Sequence, residues 1–148
     1  MREKWPDLAG RIEGETHILP IRVYFEDTDC GGVVYHANFV KFCERGRSDF
    51  LRIAGVRHAD LLDRPDPAAF AIVRMEIDFK RVARIDDALA VRTTYDSARG
   101  PRLFISQRIT RGDELVCQAV VEAACIDLNG RPRKPPPGML DTLRPLFA

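Results

Sequence analysis

The chain has 148 residues, 45% of them hydrophobic, and its 23 basic against 22 acidic side chains leave a formal net charge of +1. That length and apolar content suit one globular domain with its own core. The near-zero charge excludes a global attraction to nucleic acid or to an anionic membrane, so any anion binding has to be local.

The first sixteen residues are polar and aperiodic and read as a loose N-terminal tail, 1–16, ahead of a single domain over 17–148. Residues 17–25, rich in Ile, Val, Tyr and Phe, read as a first strand, with Pro20 at an irregular start or an edge. The strand runs into Glu26-Asp27-Thr28-Asp29, the Gly31-Gly32 pair and Tyr35-His36-Ala37-Asn38. A long amphipathic helix follows. Phe39, Phe42, Cys43, Gly46, Phe50, Ile53 and Ala54 share one face, opposite Lys41, Glu44, Arg45, Ser48, Asp49 and Arg52. Asn38 or a residue near Tyr35 caps its start, Gly55 ends it, and Gly46 on the apolar face lets it lie close to a sheet.

A short helix is expected around Ala59–Asp63, before the loop prolines Pro65 and Pro67. The period then changes to two. Val73, Met75, Ile77 and Phe79 alternate with charged residues, and Leu89, Val91, Thr93 and Tyr95 form the apolar side of the next strand. Strands over about 102–110 and 115–127 follow, the last apolar almost throughout and therefore central or buried on both faces. Beyond Asn129-Gly130 come a basic, proline-rich stretch and a short terminal helix within 138–147. One long helix followed by hairpin-linked strands implies an α+β domain, a single antiparallel sheet with the helix on one face.

Four cysteines, Cys30, Cys43, Cys117 and Cys125, show no CxxC spacing and no Cys/His cluster, so neither a metal site nor a disulfide framework is supported. Three lie in apolar patterns and act as small hydrophobes, which suits a reducing cytoplasm. The charged N-terminus has no secretory apolar segment and no run is long enough to span a bilayer, so a cytoplasmic location without an integral membrane segment is expected.

The carboxylates before the helix have two readings. Asp27, Thr28 and Asp29 suit a turn leading into a helix, and Asp29 is equally open to a site role. His36 reads either as a hydrogen-bonded structural histidine or as a site residue. Cys30 invites a thiolate nucleophile, which the adjacent carboxylates oppose. A serine hydrolase lacks its G-x-S-x-G elbow.

The stretch Arg22 to Phe39, with Phe42, Glu44, Arg45 and Arg47 behind it, resembles the hotdog-fold thioesterases of the 4-hydroxybenzoyl-CoA thioesterase family, and within it the YbgC branch associated with the Tol-Pal system. The likeness continues through Phe79–Asp87 and Arg99-Gly100 to the proline-rich segment, with Cys30 standing where Ala or Pro is common. It implies a hotdog fold, a curved antiparallel sheet wrapped around one long central helix, in homodimers that pair into homotetramers with active sites at the dimer interface.

It also implies an acyl-CoA thioesterase. Asp29 maps onto the family's catalytic carboxylate, as nucleophile or general base. The Tyr35 backbone N–H would contact the thioester carbonyl, and His36 would orient the thioester or assist proton transfer. Arg84 and the set Arg131, Arg133 and Lys134 are the basic groups expected to hold the phosphates of coenzyme A. The acyl pocket is expected to draw on Phe39, Phe42, Val73 and Met75. No cofactor is expected, since coenzyme A is part of the substrate. Acyl carrier protein as substrate, and a hotdog module that binds acyl-CoA or a protein without turnover, are the competing functions.

Overall fold

The computed structural model describes residues 10–148. Within them, strands β1 (Arg11–Glu13) and β2 (Thr16–Arg22) precede a 3-10 turn, Phe25–Asp27, and helix α1 (His36–Ile53). The short helix α2 (His58–Leu62) leads to β3 (Ala69–Phe79), β4 (Ala88–Arg99), β5 (Arg102–Arg111) and β6 (Glu114–Ile126), and helix α3 (Met139–Leu143) and a 3-10 turn, Arg144–Leu146, follow. All six strands form one antiparallel sheet in the order β1-β2-β4-β5-β6-β3.

The sheet has to curve. Helix α1 touches β2 near one edge, through His17 and Asp49, and β3 at the other, through Phe39 and Phe79. Four strand spacings separate β2 from β3, about 19 Å if flat, against a helix about 10–12 Å across. Wrapping closes that gap. The result is the hotdog arrangement, α+β, that the sequence resemblance implies.

Alternation decides which face meets the helix. Leu89, Val91, Thr93 and Tyr95 on β4 are buried, as their period requires, opposite Ile105, Gln107 and Ile109 on β5. From α1, Phe39, Phe42, Cys43, Phe50 and Leu51 enter the same core. Each such large apolar side chain stabilises the fold by about 1.5–3 kcal/mol. Gly46 is where helix and sheet come closest: a Cβ there would lie 2.8 Å from both Thr93 Oγ1 and Val91 Cγ1. Gly55, at φ +97°, takes the left-handed conformation that ends α1.

Four sequence expectations change. The tail is not loose throughout, because Arg11–Glu13 pairs with Thr16–Ile18; its first nine residues lie outside the described residues. The first strand ends at Arg22, since Asp27 caps a 3-10 turn through a bond from Tyr24 N–H to its Oδ2, 2.8 Å. On β3 the register shifts between Ile72 and Arg74, so Val73 is half-exposed while Met75 and Ile77 pack inward. A bulge breaks the parity of a strand. Finally, β6 lies one strand in from the β3 edge, and its Val120 is 56% exposed, so it is not covered on both faces.

Candidate active site

The loop between the 3-10 turn and α1 is a tight hairpin. Thr28 bridges Val34, Asp29 N–H donates to Val33 O at 2.9 Å, and Gly32 N–H donates to Asp29 O at 3.0 Å. Its tip holds the Asp29 side chain: Gly31 N–H donates to Oδ1 at 2.8 Å, with a longer contact of 3.4 Å from Val33 N–H. Oδ2 has no partner among the described residues. One oxygen of Asp29 therefore organises the turn, and the other is unpartnered among the described residues in an exposed carboxylate.

Asp27 is structural. It is buried, its side chain caps the turn, and its carbonyl accepts two bonds, from Tyr35 N–H at 3.0 Å and from Asn38 Nδ2 at 2.8 Å. This corrects the expectation for Tyr35, whose backbone N–H is spent on Asp27 and not open to a substrate. Tyr35 is instead the N-cap residue, in extended conformation. The next two N–H groups, those of His36 and Ala37, the first of α1, have no acceptor among the described residues. Helix starts leave such donors orphaned, and their dipoles favour negative charge. Val33 lies three residues before His36, within about 11 Å by chain reach, so carboxylate and donors share one neighbourhood.

The His36 ring makes no hydrogen bond among the described residues; it packs against Tyr35 (centroids 4.5 Å apart) and edge-on to Phe79 (6.1 Å). Tyr24, Phe25, Tyr35, Phe79, Val82 and Ile85 leave an exposed apolar rim around this end of the sheet. Cys30 is exposed at the tip, whereas burial pushes the Cys43 thiol up to about 11 and the Cys117 thiol up to about 12.

Of the four basic candidates, one is beside this loop. Arg84 bridges Val33, and the Ala83 carbonyl next to it accepts Val34 N–H at 2.8 Å. Asp87 holds that segment: its Oδ2 accepts Arg84 N–H at 2.9 Å and Arg111 at 2.8 Å. These bonds, that of Arg84 foremost, hold the Asp87 carboxyl below its ordinary value. Arg131, Arg133 and Lys134 lie at the other end of β6. Arg81 N–H meets Val116 O and Arg133 N–H meets Cys125 O, nine residues along the strand and so about 30 Å away. The Arg133 guanidinium is taken by the Asp66 carboxylate and the carbonyls of Asp66 and Pro67. A single protomer does not bring these three to Asp29.

Among the pocket candidates, Phe39 and Phe42 are both buried in the core, Met75 packs partly buried against it and Val73 faces outward; Phe39 is in contact with Phe79. Sequence reading missed a polar core behind α1. Arg47, 5% exposed, donates to Gln107 Oε1 at 2.8 Å and Glu44 Oε2 at 2.5 Å, and accepts Tyr95 O–H on its carbonyl. Ser48 joins Glu44 to His58 at the mouth of a cavity of about 60 Å³. Its hydroxyl donates to Glu44, so the cluster lacks the serine-to-histidine polarity of a nucleophilic triad. His17 is fully buried, with Nε2 2.6 Å from Asp49 Oδ2. The inward phase of His17 with Leu19 was the only sequence signal for that pair.

Residues 23–143 match the thioesterase-like superfamily. The chain is 39% identical over 111 residues to an acyl-CoA thioesterase YbgC of Haemophilus influenzae, covering 75% of this chain and 81% of that one. It is 40% identical over 119 residues to an acyl-CoA thioester hydrolase YbgC of Escherichia coli, covering 79% and 87%. Among solved structures, a probable thioesterase from Bartonella henselae superposes with a TM-score of 0.79 at 41% identity, covering 82% and 99%. A 1,4-dihydroxy-2-naphthoyl-CoA thioesterase from Synechocystis gives 0.77 at 28% identity, covering 86% and 93%.

Proposed function

This chain belongs to the thioesterase-like superfamily and is a thioester hydrolase, and from that premise we propose that it cleaves acyl-CoA to free coenzyme A and a carboxylic acid, with Asp29 as the reacting carboxylate. One observation carries the assignment. The hairpin that leads into α1 carries a carboxylate with one oxygen tethered and the other unpartnered, and the helix start that follows has two N–H groups with no acceptor among the described residues. Thioester hydrolysis needs those two things: a base or nucleophile, and donors aimed at the oxygen where charge develops.

The oxygen Oδ2 has two routes. It attacks the acyl carbon, expelling the thiolate and leaving a mixed anhydride that water then hydrolyses, or it takes a proton from a water that attacks directly. In both, the carbonyl oxygen becomes an oxyanion facing His36 N–H and Ala37 N–H, and the sulfur leaves as thiol after gaining a proton. We assign the His36 imidazole to orienting the thioester or passing that proton. Water balances the reaction, so the proposed route uses no metal or redox cofactor, and coenzyme A enters as substrate. Arg84 is the group we assign to a phosphate of coenzyme A.

The long edge of β3 is unpaired among the described residues, and an open edge is a template for a second chain. We assign that edge to a homodimer, the step toward a homotetramer, in which Arg131 and Lys134 of one protomer are free to serve the other's site. No helix of the described residues is long and apolar enough to cross a membrane; a cytoplasmic enzyme acting on coenzyme A thioesters fits the chemistry.

Thiol release from short, long and aromatic acyl-CoAs, with wild type beside Asp29→Ala, tests the reading. Activity in wild type and its loss in the variant are expected. If Asp29→Ala turns over as fast as wild type, the carboxylate assignment fails. If acyl carrier protein thioesters are cleaved and acyl-CoAs are not, the substrate assignment fails.

A further inference from the structure

The outer face of the sheet, away from α1, carries an arrangement that the thioesterase reading does not use. Arg92 on β4 and Arg108 on β5 are direct cross-strand partners, and both strands lie inside the sheet. Like charges in that position repel and destabilise a sheet. Neither is neutralised among the described residues. Arg92 Nε reaches only the neutral Thr110 Oγ1, at 3.3 Å, and the Arg108 guanidinium has no acceptor among the described residues.

A pocket of about 380 Å³ opens over the pair, lined also by Thr16, Thr94, Ser106 and Glu13, with Ile18 as an apolar wall. Glu13 is held by Arg11 at 2.7 Å. Ser106 spends its hydrogen on Asp96. Thr16 and Thr94 share one bond at 3.2 Å, which leaves one hydroxyl hydrogen of the two unspent. The pocket thus offers two guanidinium groups and a hydroxyl donor.

We propose that this pocket binds a phosphate-class anion bridging Arg92 and Arg108, at a site separate from the Asp29 loop. Guanidinium pairs suit phosphate oxygens bidentately, and a dianion converts the cross-strand repulsion into two attractions. The anion is either free phosphate or the phosphate end of a nucleotide. The proposal does not depend on the hydrolytic activity, and its test does not read it.

The full chain is followed by thermal unfolding in phosphate and in chloride at matched ionic strength, as wild type, Arg108→Gln and Arg92→Gln. Phosphate at ten times its dissociation constant raises the wild-type Tm by about 3–5 °C over chloride. Arg108→Gln abolishes that rise and, in dilute chloride, melts higher than wild type because the repulsion is gone. Arg102→Gln, on the same face but paired with Glu122, keeps the phosphate rise. Titration calorimetry with inorganic phosphate and with adenosine 3′,5′-bisphosphate, one site per chain, separates the two sources by their affinities. Equal Tm in phosphate and chloride, a phosphate rise that survives Arg108→Gln, or an Arg108→Gln variant that melts lower than wild type in dilute chloride would each overturn the site.

Discussion

The two ends of α1 use polar groups in opposite ways. At its N-terminus, Asp29 Oδ2 and the His36 and Ala37 N–H groups have no partner among the described residues, and the side chains around them are exposed. About three turns on, Arg47, Gln107, Thr93 and Tyr95 are buried and paired, and Gln107 donates to both Cys43 O and Thr93 Oγ1. Unmade bonds at a wet helix start cost little and leave donors for a substrate, whereas the same vacancy in the core would cost about 1–3 kcal/mol per group. Polarity thus marks chemistry at one end and architecture at the other.

Breaking the wet end should reach catalysis and spare the fold. Asp29→Asn is expected to lower kcat by about 10²–10⁴-fold with an unchanged Tm, read by thiol release and thermal melting. His36→Pro against His36→Ala sharpens the point. Proline is tolerated at the first helical position after the extended Tyr35 and deletes only the N–H beyond what alanine removes. A further loss of about 10²-fold in kcat for the proline variant is expected if that N–H holds the oxyanion.

Breaking the dry end should do the reverse. Arg47→Ala leaves Gln107 and Glu44 without their partner and is expected to cost about 2–4 kcal/mol in denaturant unfolding, with kcat of the folded fraction near wild type. Gly46→Ala adds a Cβ at 2.8 Å from Thr93 and Val91. Overpacking of about 1–3 kcal/mol exceeds the gain of up to about 1 kcal/mol in helix propensity, so a net loss is expected.

The smallest effect is at Asp87, in the segment beside the Asp29 loop. Its folded pKa is depressed, so its contribution is complete above the ordinary aspartate value and lost as pH falls through the lower folded one. Asp87→Asn should therefore destabilise at pH 7 by about 1 kcal/mol or less. The difference from wild type should vanish in strongly acidic melts.

Residue pattern alone determined the long helix, its Gly55 stop, the close approach at Gly46 and the inward side of β4, because periodicity and glycine report directly on local geometry. Asp29 and His36 stayed open to a structural reading on pattern alone, and the family resemblance carried by the motif around Gly31-Gly32 singled them out. Which N–H groups stay open was beyond both. Tyr35 and His36 are neighbours in the chain, and only the carbonyl of Asp27, brought round by the hairpin, consumes one donor and leaves the other. The same holds for the Val73 bulge, which depends on pairing with β6, and for the distance that parts Arg84 from Arg131–Lys134. Long-range contacts decide how a polar group is spent, and a linear pattern carries no record of partners that are remote in the chain.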